Sequence, residues 1–169
     1  MPTVGHVDPL TDAEIRASFV NCSKGEAQRA HLPRDLAERE WDDLDYLGWR
    51  DPQSPARGYL VAVHGGRLCG LVLRAPSVAV GRRASMCSLC LTVRSGGVAL
   101  MVAPRAGKAG QRGHSVGTPM CTDLACSLYV RGKRTASGNV MHETLTVEQR
   151  IDRLSANVDA FMTRALRAE

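Results

Sequence analysis

Aromatic side chains are scarce in this chain: two tryptophans, three tyrosines and two phenylalanines, 4% of 169 residues. A surface that stacks unpaired bases needs aromatics in groups. No such platform is expected, and Trp41, Tyr46, Trp49, Tyr59 and Tyr129 have to be judged singly. Long apolar runs are missing as well. Nothing approaches the roughly 18 to 20 apolar residues that cross a bilayer, and the opening Met1-Pro-Thr-Val-Gly-His6 has neither the basic nor the apolar stretch of a secretion signal. A cytoplasmic protein with no membrane partner is therefore expected. Acids are missing from one long stretch. Between Gly81 and Arg134 the only acid is Asp123, against Arg82, Arg83, Arg94, Arg105, Lys108, Arg112, Arg131, Lys133 and Arg134. The first third has the opposite balance, with Asp42, Asp43 and Asp45 clustered around Trp41.

What is present suffices for an ordinary core: 44% of residues are apolar and 23% charged, the proportions of a soluble globular domain. Residues 1–57 read as a helical N-terminal region packed on a body formed by residues 58–169, the two making one folded unit. Thr11-Asp-Ala-Glu14 and Ser23-Lys-Gly-Glu26 are capping boxes, in which the hydroxyl accepts from the third helical N–H and the carboxylate reaches back to the cap. Short helices are expected over Asp12–Val20 and up to about Ala30, with a further turn or two over Arg34–Glu40. Trp41 to Trp49 reads as a loop that anchors Trp41, Leu44, Leu47 and Trp49 in the core. Gly58–Val63 and Leu68–Leu73 flank His64-Gly-Gly-Arg67 and predict an antiparallel hairpin. A second hairpin is expected from Leu91-Thr-Val93 and Val98–Val102 around Ser95-Gly-Gly97. Arg105–Gly117, glycine-rich and basic, predicts an exposed loop. It lacks the Gly-Lys-Ser/Thr ending of a phosphate-binding loop. Thr146-Val-Glu-Gln149 is a third capping box, and Val147, Ile151, Leu154, Val158, Phe161 and Ala165 recur at spacings of four and three, so a single amphipathic helix docked on the core should run to about Arg167.

The chemistry lies in the cysteines. Cys87-Ser-Leu-Cys90 is a tight-turn pair, and Cys121-Thr-Asp-Leu-Ala-Cys126 supplies two more about thirty residues on. Four thiolates are what a closed, structural zinc site requires, since a catalytic site leaves a position for water. Two disulfides are disfavoured by a reducing compartment, and a redox pair by the lack of a strand leading the motif into a long helix. A cysteine knuckle, a hairpin and a ligand pair that enters a helix at Ser127–Gly132 follow the order of a treble clef. The fold class expected is α+β: a treble-clef zinc finger with antiparallel hairpins, short N-terminal helices and a C-terminal amphipathic helix. Cys22 and Cys69 read as small buried hydrophobes. His114 and His142 are alternative ligands that four cysteines make unnecessary, and His6, His31 and His64 show no evident partner. Some of the basic residues would offset the charge of a tetrathiolate site. Tyr129, Arg131, Lys133, Arg134, Lys108 and Arg112 read as an exposed face for an acidic or polyanionic partner.

Taken together, Pro9–Glu26, Leu44–Pro52, Met86–Cys90 and Cys121–Arg134 resemble the C-terminal treble-clef zinc-finger domain of FusB-type proteins, which bind elongation factor G. The resemblance covers nearly the whole chain, and its specific part is the cysteine spacing. It implies one structural Zn²⁺ on Cys87, Cys90, Cys121 and Cys126. It further implies a non-enzymatic monomeric adaptor that acts on elongation factor G at the ribosome without a small-molecule substrate. Members of this family release the factor when fusidic acid has locked it there, which produces antibiotic resistance. The alternative is a zinc-dependent RNA- or ribosome-binding module. No catalytic set emerges from the serines, histidines and carboxylates, although an enzyme with residues 105–117 as a lid is a third possibility.

Overall fold

The computed structural model describes residues 6–75, 84–135 and 143–167. Two short helices open it, α1 (Asp12–Ser18) and α2 (Lys24–Arg29), and both capping boxes close reciprocally, Thr11 with Glu14 and Ser23 with Glu26. Single 3-10 turns follow at Leu36–Glu38 and Trp41–Asp43. The strands are β1 (Leu47–Arg50), β2 (Arg57–His64), β3 (Arg67–Arg74), β4 (Ala84–Met86), β5 (Val93–Ser95) and β6 (Val98–Pro104). A short helix α3 (Gly107–Gln111) leads to β7 (Ser115–Cys121). Helices α4 (Cys126–Val130) and α5 (Val147–Leu166) complete the chain. None of the described helices is long and apolar enough to cross a membrane.

Five strands form one antiparallel sheet in the order β1-β2-β3-β6-β7, and β4 pairs with β5 in a separate ribbon. The β2–β3 hairpin is the one expected from the apolar runs. Its two-residue turn has Gly65 at φ 58° and Gly66 at φ 77°, the paired positive angles that match strand twist and that side chains resist. Alternation along β2 then divides the core into two layers, because successive residues face opposite sides of a sheet. Tyr59 and Val61 join Val7, Ile15, Trp41, Leu44, Leu47 and Trp49 on one side. Leu60 and Ala62 join Leu71, Leu73, Met101 and the buried stripe of α5 on the other. Trp49 stacks on Tyr59 with ring centroids 4.8 Å apart. The anchoring expected of Trp41, Leu44, Leu47 and Trp49 is therefore present, but the segment is more ordered than a loop: it contains a 3-10 turn and edge strand β1. Because β1 pairs with β2, the sheet runs across residue 57.

Among the described residues, the register between β3 and β6 is the pair Arg74 and Val102. Asn21 bridges the two strands. Its amide Nδ2 donates to the carbonyls of Val72 and Pro104, both at 3.0 Å, and its Oδ1 accepts from the Val72 amide at 2.8 Å. One side chain thus ties β3, β6 and the N-terminal layer together.

Helix α5 begins at Thr146, capped reciprocally with Gln149. It buries Leu154, Val158, Phe161, Met162 and Ala165 against the molecule's own sheet, with Ile151 partly buried, as the spacing predicts from Ile151 on, whereas Val147 in the first turn is exposed. Polar contacts fix its position: Asn157 donates to the Leu89 carbonyl at 2.9 Å, Arg164 to Thr118 Oγ1 at 2.7 Å, and His64 meets Asp159 at 2.7 Å.

Two further expectations are corrected. Strand β5 pairs with β4 and not with β6, because the turn at Cys87–Cys90 folds Ala84–Met86 back onto Val93–Ser95 while β6 continues into the large sheet. The segment 105–117 is not one exposed loop: α3 and the start of β7 lie within it. Strand β7 buries Val116, Thr118 and Met120 in alternation, a half-buried pattern that Gly117 and Pro119 obscure in the sequence.

Candidate metal centre

Two tight turns bring the cysteines together. In the first, the Cys87 amide donates to the Thr92 carbonyl at 3.0 Å and the Leu91 amide to the Cys87 carbonyl at 2.9 Å. The amides of Leu89 and Cys90 point at Cys87 Sγ, at 3.4 and 3.5 Å. In the second, Cys121 ends β7, the Leu124 amide donates to its carbonyl at 3.0 Å, and Cys126 opens α4. Each turn needs a left-handed residue, and here both are leucines, Leu91 at φ 57° and Leu124 at φ 55°. Such a conformation is costly for a branched side chain. At Leu124 burial offsets the cost: only 3% of it is exposed. Gly48 makes that packing possible, since a Cβ there would lie 2.8 Å from Leu124 Cβ and 2.9 Å from its carbonyl oxygen.

The four sulfurs all lie within 4.8 Å of one another. Cys87 is 3.7 Å from Cys126, and Cys90 is 3.6 Å from Cys121. A tetrahedron with zinc–sulfur bonds of about 2.3 Å has sulfur–sulfur edges of about 3.8 Å, which the Cys87–Cys126 and Cys90–Cys121 separations match, so the donor set fits the ion. All four residues are buried and none is in a disulfide. Packed this closely, the thiols do not ionise independently. Cys87 is held well below the ordinary thiol range because Cys121, Cys126 and Cys90 donate to it. Cys126 is held well above that range, first through its contact with Cys121. A divalent cation at the centre resolves this by allowing all four to be thiolates. The site is a closed zinc centre of structural type, and the metal would hold the knuckle of β4 and β5 to the end of β7 and the start of α4.

Two groups outside the donor set are directed at it. Arg94 lies 4.4 Å above the Tyr129 ring and 3.5 Å from Asp123. Burial works against its charge, yet Cys121 and Asp123 outweigh burial and hold its pKa above the ordinary arginine value. Tyr46 is 1% exposed, and its buried hydroxyl has no hydrogen-bond partner among the described residues. Burial, and after it the neighbouring Cys126, push its ionisation well up. A neutral phenol beside a metal-bound thiolate is a hydrogen-bond donor, as zinc sites use to spread ligand charge.

The basic face expected around α4 is partly interior. Tyr129 is 9% exposed and its hydroxyl donates to Asp123 at 2.6 Å. Arg131 forms a bidentate pair with Asp45, at 2.7 and 3.0 Å, and also donates to the Ser127 carbonyl. Both are structural struts: the first third's acids, read as a separate charge cluster, fold back to meet the basic residues. Lys133 and Arg134 remain half-exposed and pair with Asp43 and Asp123. Lys108 and Arg112 are exposed on α3 and its C-terminal cap. Strand β7, which ends at Cys121, separates it from α3 by about 20 Å at strand spacing. Arg82, Arg83 and His142 lie outside the described residues. His114 is exposed and no member of the cysteine cluster. Cys22 and Cys69, partly buried, pack against the apolar layers.

The histidines do have partners. His31 meets Asp51 at 3.1 Å, His64 meets Asp159, and His6 is 3.9 Å from Asp8. Asp51, 3% exposed, also accepts from Tyr59 at 2.9 Å and from the Gln53 amide at 2.8 Å. Burial pulls its pKa up, but the Gln53 amide, His31 and Tyr59 outweigh that and leave it below the ordinary carboxylate range. The Asp51-Pro52 pair was the available signal, since an aspartate that opens a turn accepts from the amides that follow it.

A search of curated proteins and one of solved structures found no match to this chain. A family model does match, described as the FBP C-terminal treble-clef zinc-finger, over residues 14–165. That span contains both cysteine turns, the whole five-stranded sheet and all but the last residue of α5, and the chain belongs to this family of treble-clef zinc fingers.

Proposed function

We propose that the protein is a non-enzymatic, cytoplasmic adaptor that binds elongation factor G through the surface its zinc centre organises, and that it assists release of the factor from the ribosome. The observation that carries this reading is the family membership, which extends over the sheet, the zinc turns and α5 alike. The coordination chemistry agrees with it: four protein thiolates fill the tetrahedron, leaving no position for water or substrate on the metal. Around α4 the zinc turns support a surface on which Lys133 and Arg134 stay half-exposed.

The test is titration of the zinc-loaded protein into purified elongation factor G, followed by the factor's dissociation from ribosomes in the presence of fusidic acid. Saturable binding of one protein per factor and faster dissociation are expected. A protein that binds generic RNA with steep salt dependence and never binds the factor would be an RNA-binding module, and the adaptor reading would fail.

A further inference from the structure

Beside α4 lies a groove of about 460 Å³ with Leu128, Ala125, Pro33 and Pro52 as its apolar lining over the buried Trp49. Arg34, Arg39, Arg50 and Arg134 line it, against two acids, Asp35 and Asp123. Both acids are already engaged. Asp35 pairs with Arg39 at 3.3 Å, and Asp123 accepts from the Tyr129 hydroxyl, the Ala125 amide, Arg94 and Arg134. Arg50 gives its terminal nitrogens to the backbone carbonyls of Thr122 and Pro55, which carry no charge, and its Nε is buried with no hydrogen-bond partner among the described residues. Arg34 is exposed and makes no ion pair or hydrogen bond among them.

The groove therefore has positive charge in excess over an apolar floor. We propose that it takes an acidic segment of a protein partner, with an apolar side chain on the floor and a flanking aspartate or glutamate met by Arg34 and Arg134. An RNA strand fits less well: Trp49, the one aromatic ring in the lining, is 3% exposed and presents no face for stacking a base. Buried apolar anchors ringed by complementary charge are the usual anatomy of a protein–protein contact. The assignment rests on the reading of the protein as an elongation-factor-G binder and places the acidic segment on that factor.

The experiment is calorimetric titration of the whole zinc-loaded chain against purified elongation factor G, using Arg34→Glu, Arg134→Glu and the double variant. Zinc content and circular dichroism report folding, and Arg34→Glu removes no hydrogen bond or ion pair among the described residues. Arg67→Glu, at the exposed start of β3 and outside the groove, makes the same change of charge. Arg34→Glu should weaken binding at least about tenfold and the double variant further, with Arg67→Glu within about twofold of wild type. A folded double variant that binds like wild type would overturn the groove alone, as would equal weakening by Arg67→Glu, which would show unspecific charge attraction. If the double variant lost affinity for a single-stranded RNA oligomer but kept it for the factor, the groove would be a phosphate site and the proposal wrong. Wild-type protein that does not bind the factor would remove both this assignment and the functional reading beneath it.

Discussion

Tyr46 and Asp51 are residues whose work lies in what they donate and accept. Tyr46 faces Cys126 from inside the core, so Tyr46→Phe removes one oxygen and no packing. It should lower zinc affinity about tenfold, the lower end for loss of a group that hydrogen-bonds a metal ligand, as read by competition with a chromophoric chelator, with the circular dichroism spectrum unchanged. An unaltered affinity would mean that the hydroxyl does not engage the thiolate. Asp51 governs a pH response. Its folded pKa lies below the unfolded value, so its contribution to stability is fully present above about pH 4 and is lost as pH falls through the folded value. Tyr59, its donor, is pushed up to about 12, first by burial and then by Asp51. Its contribution is present below about pH 10 and is lost as pH rises towards 12. Denaturation midpoints measured from pH 7 down to 3 should fall more steeply for wild type than for Asp51→Asn. At this scale the metal ligands were legible because spacing within each turn is local. Arg131 was misread as surface because Asp45, the carboxylate that takes it inside, is 86 residues away in sequence.

Among the elements, α1, α2 and α5 start where their capping boxes place them, since a box is settled within four residues. Strand partners are settled by distant chain. Nothing in Val93–Ser95 says that its neighbour is Ala84–Met86 and not Val98–Val102, and the period of β7 was hidden by its glycine and proline. Among the described residues, the junction of β3 and β6 shows the least backbone pairing in the large sheet, and Asn21 bridges it. Asn21→Leu should destabilise the protein by about 2–3 kcal/mol, since it leaves the Val72 amide and two carbonyls without partners, as measured by urea denaturation. The exposed cap at Thr146 should matter less: Thr146→Ala is expected to cost about 1 kcal/mol. If the two changes cost the same, Asn21 would be an ordinary surface side chain and not a bridge between strands.

Across the whole molecule, one sheet separates an N-terminal layer from a layer shared by α5 and the zinc centre. The sequence conveys both layers as apolar patterns but not which strands divide them, because the division follows from the alternation of β2 in a central position. The cysteines belong to the same apolar layer as Leu60, Met101 and Phe161, so metal and core should fail together. Chelation of the folded protein should lower the thermal midpoint and abolish its cooperativity on the α5 side, because binding free energy of the metal is folding free energy. Native-state hydrogen exchange in β7 and α5 would then rise before that in β2.

The contact between the Ser88 amide and the Pro119 carbonyl, 2.8 Å, has a further outcome. Strand β7 is the last of its sheet, and the first cysteine turn lies along its open side, occupying a carbonyl to which another chain could hydrogen-bond. Pro119 offers no amide there either. Unclamping that turn uncovers a strand edge of the kind that recruits copies of itself. The metal-free protein should accordingly cluster, visible as rising light scattering after chelation and reversed by zinc added early. The ion would then guard solubility as much as shape.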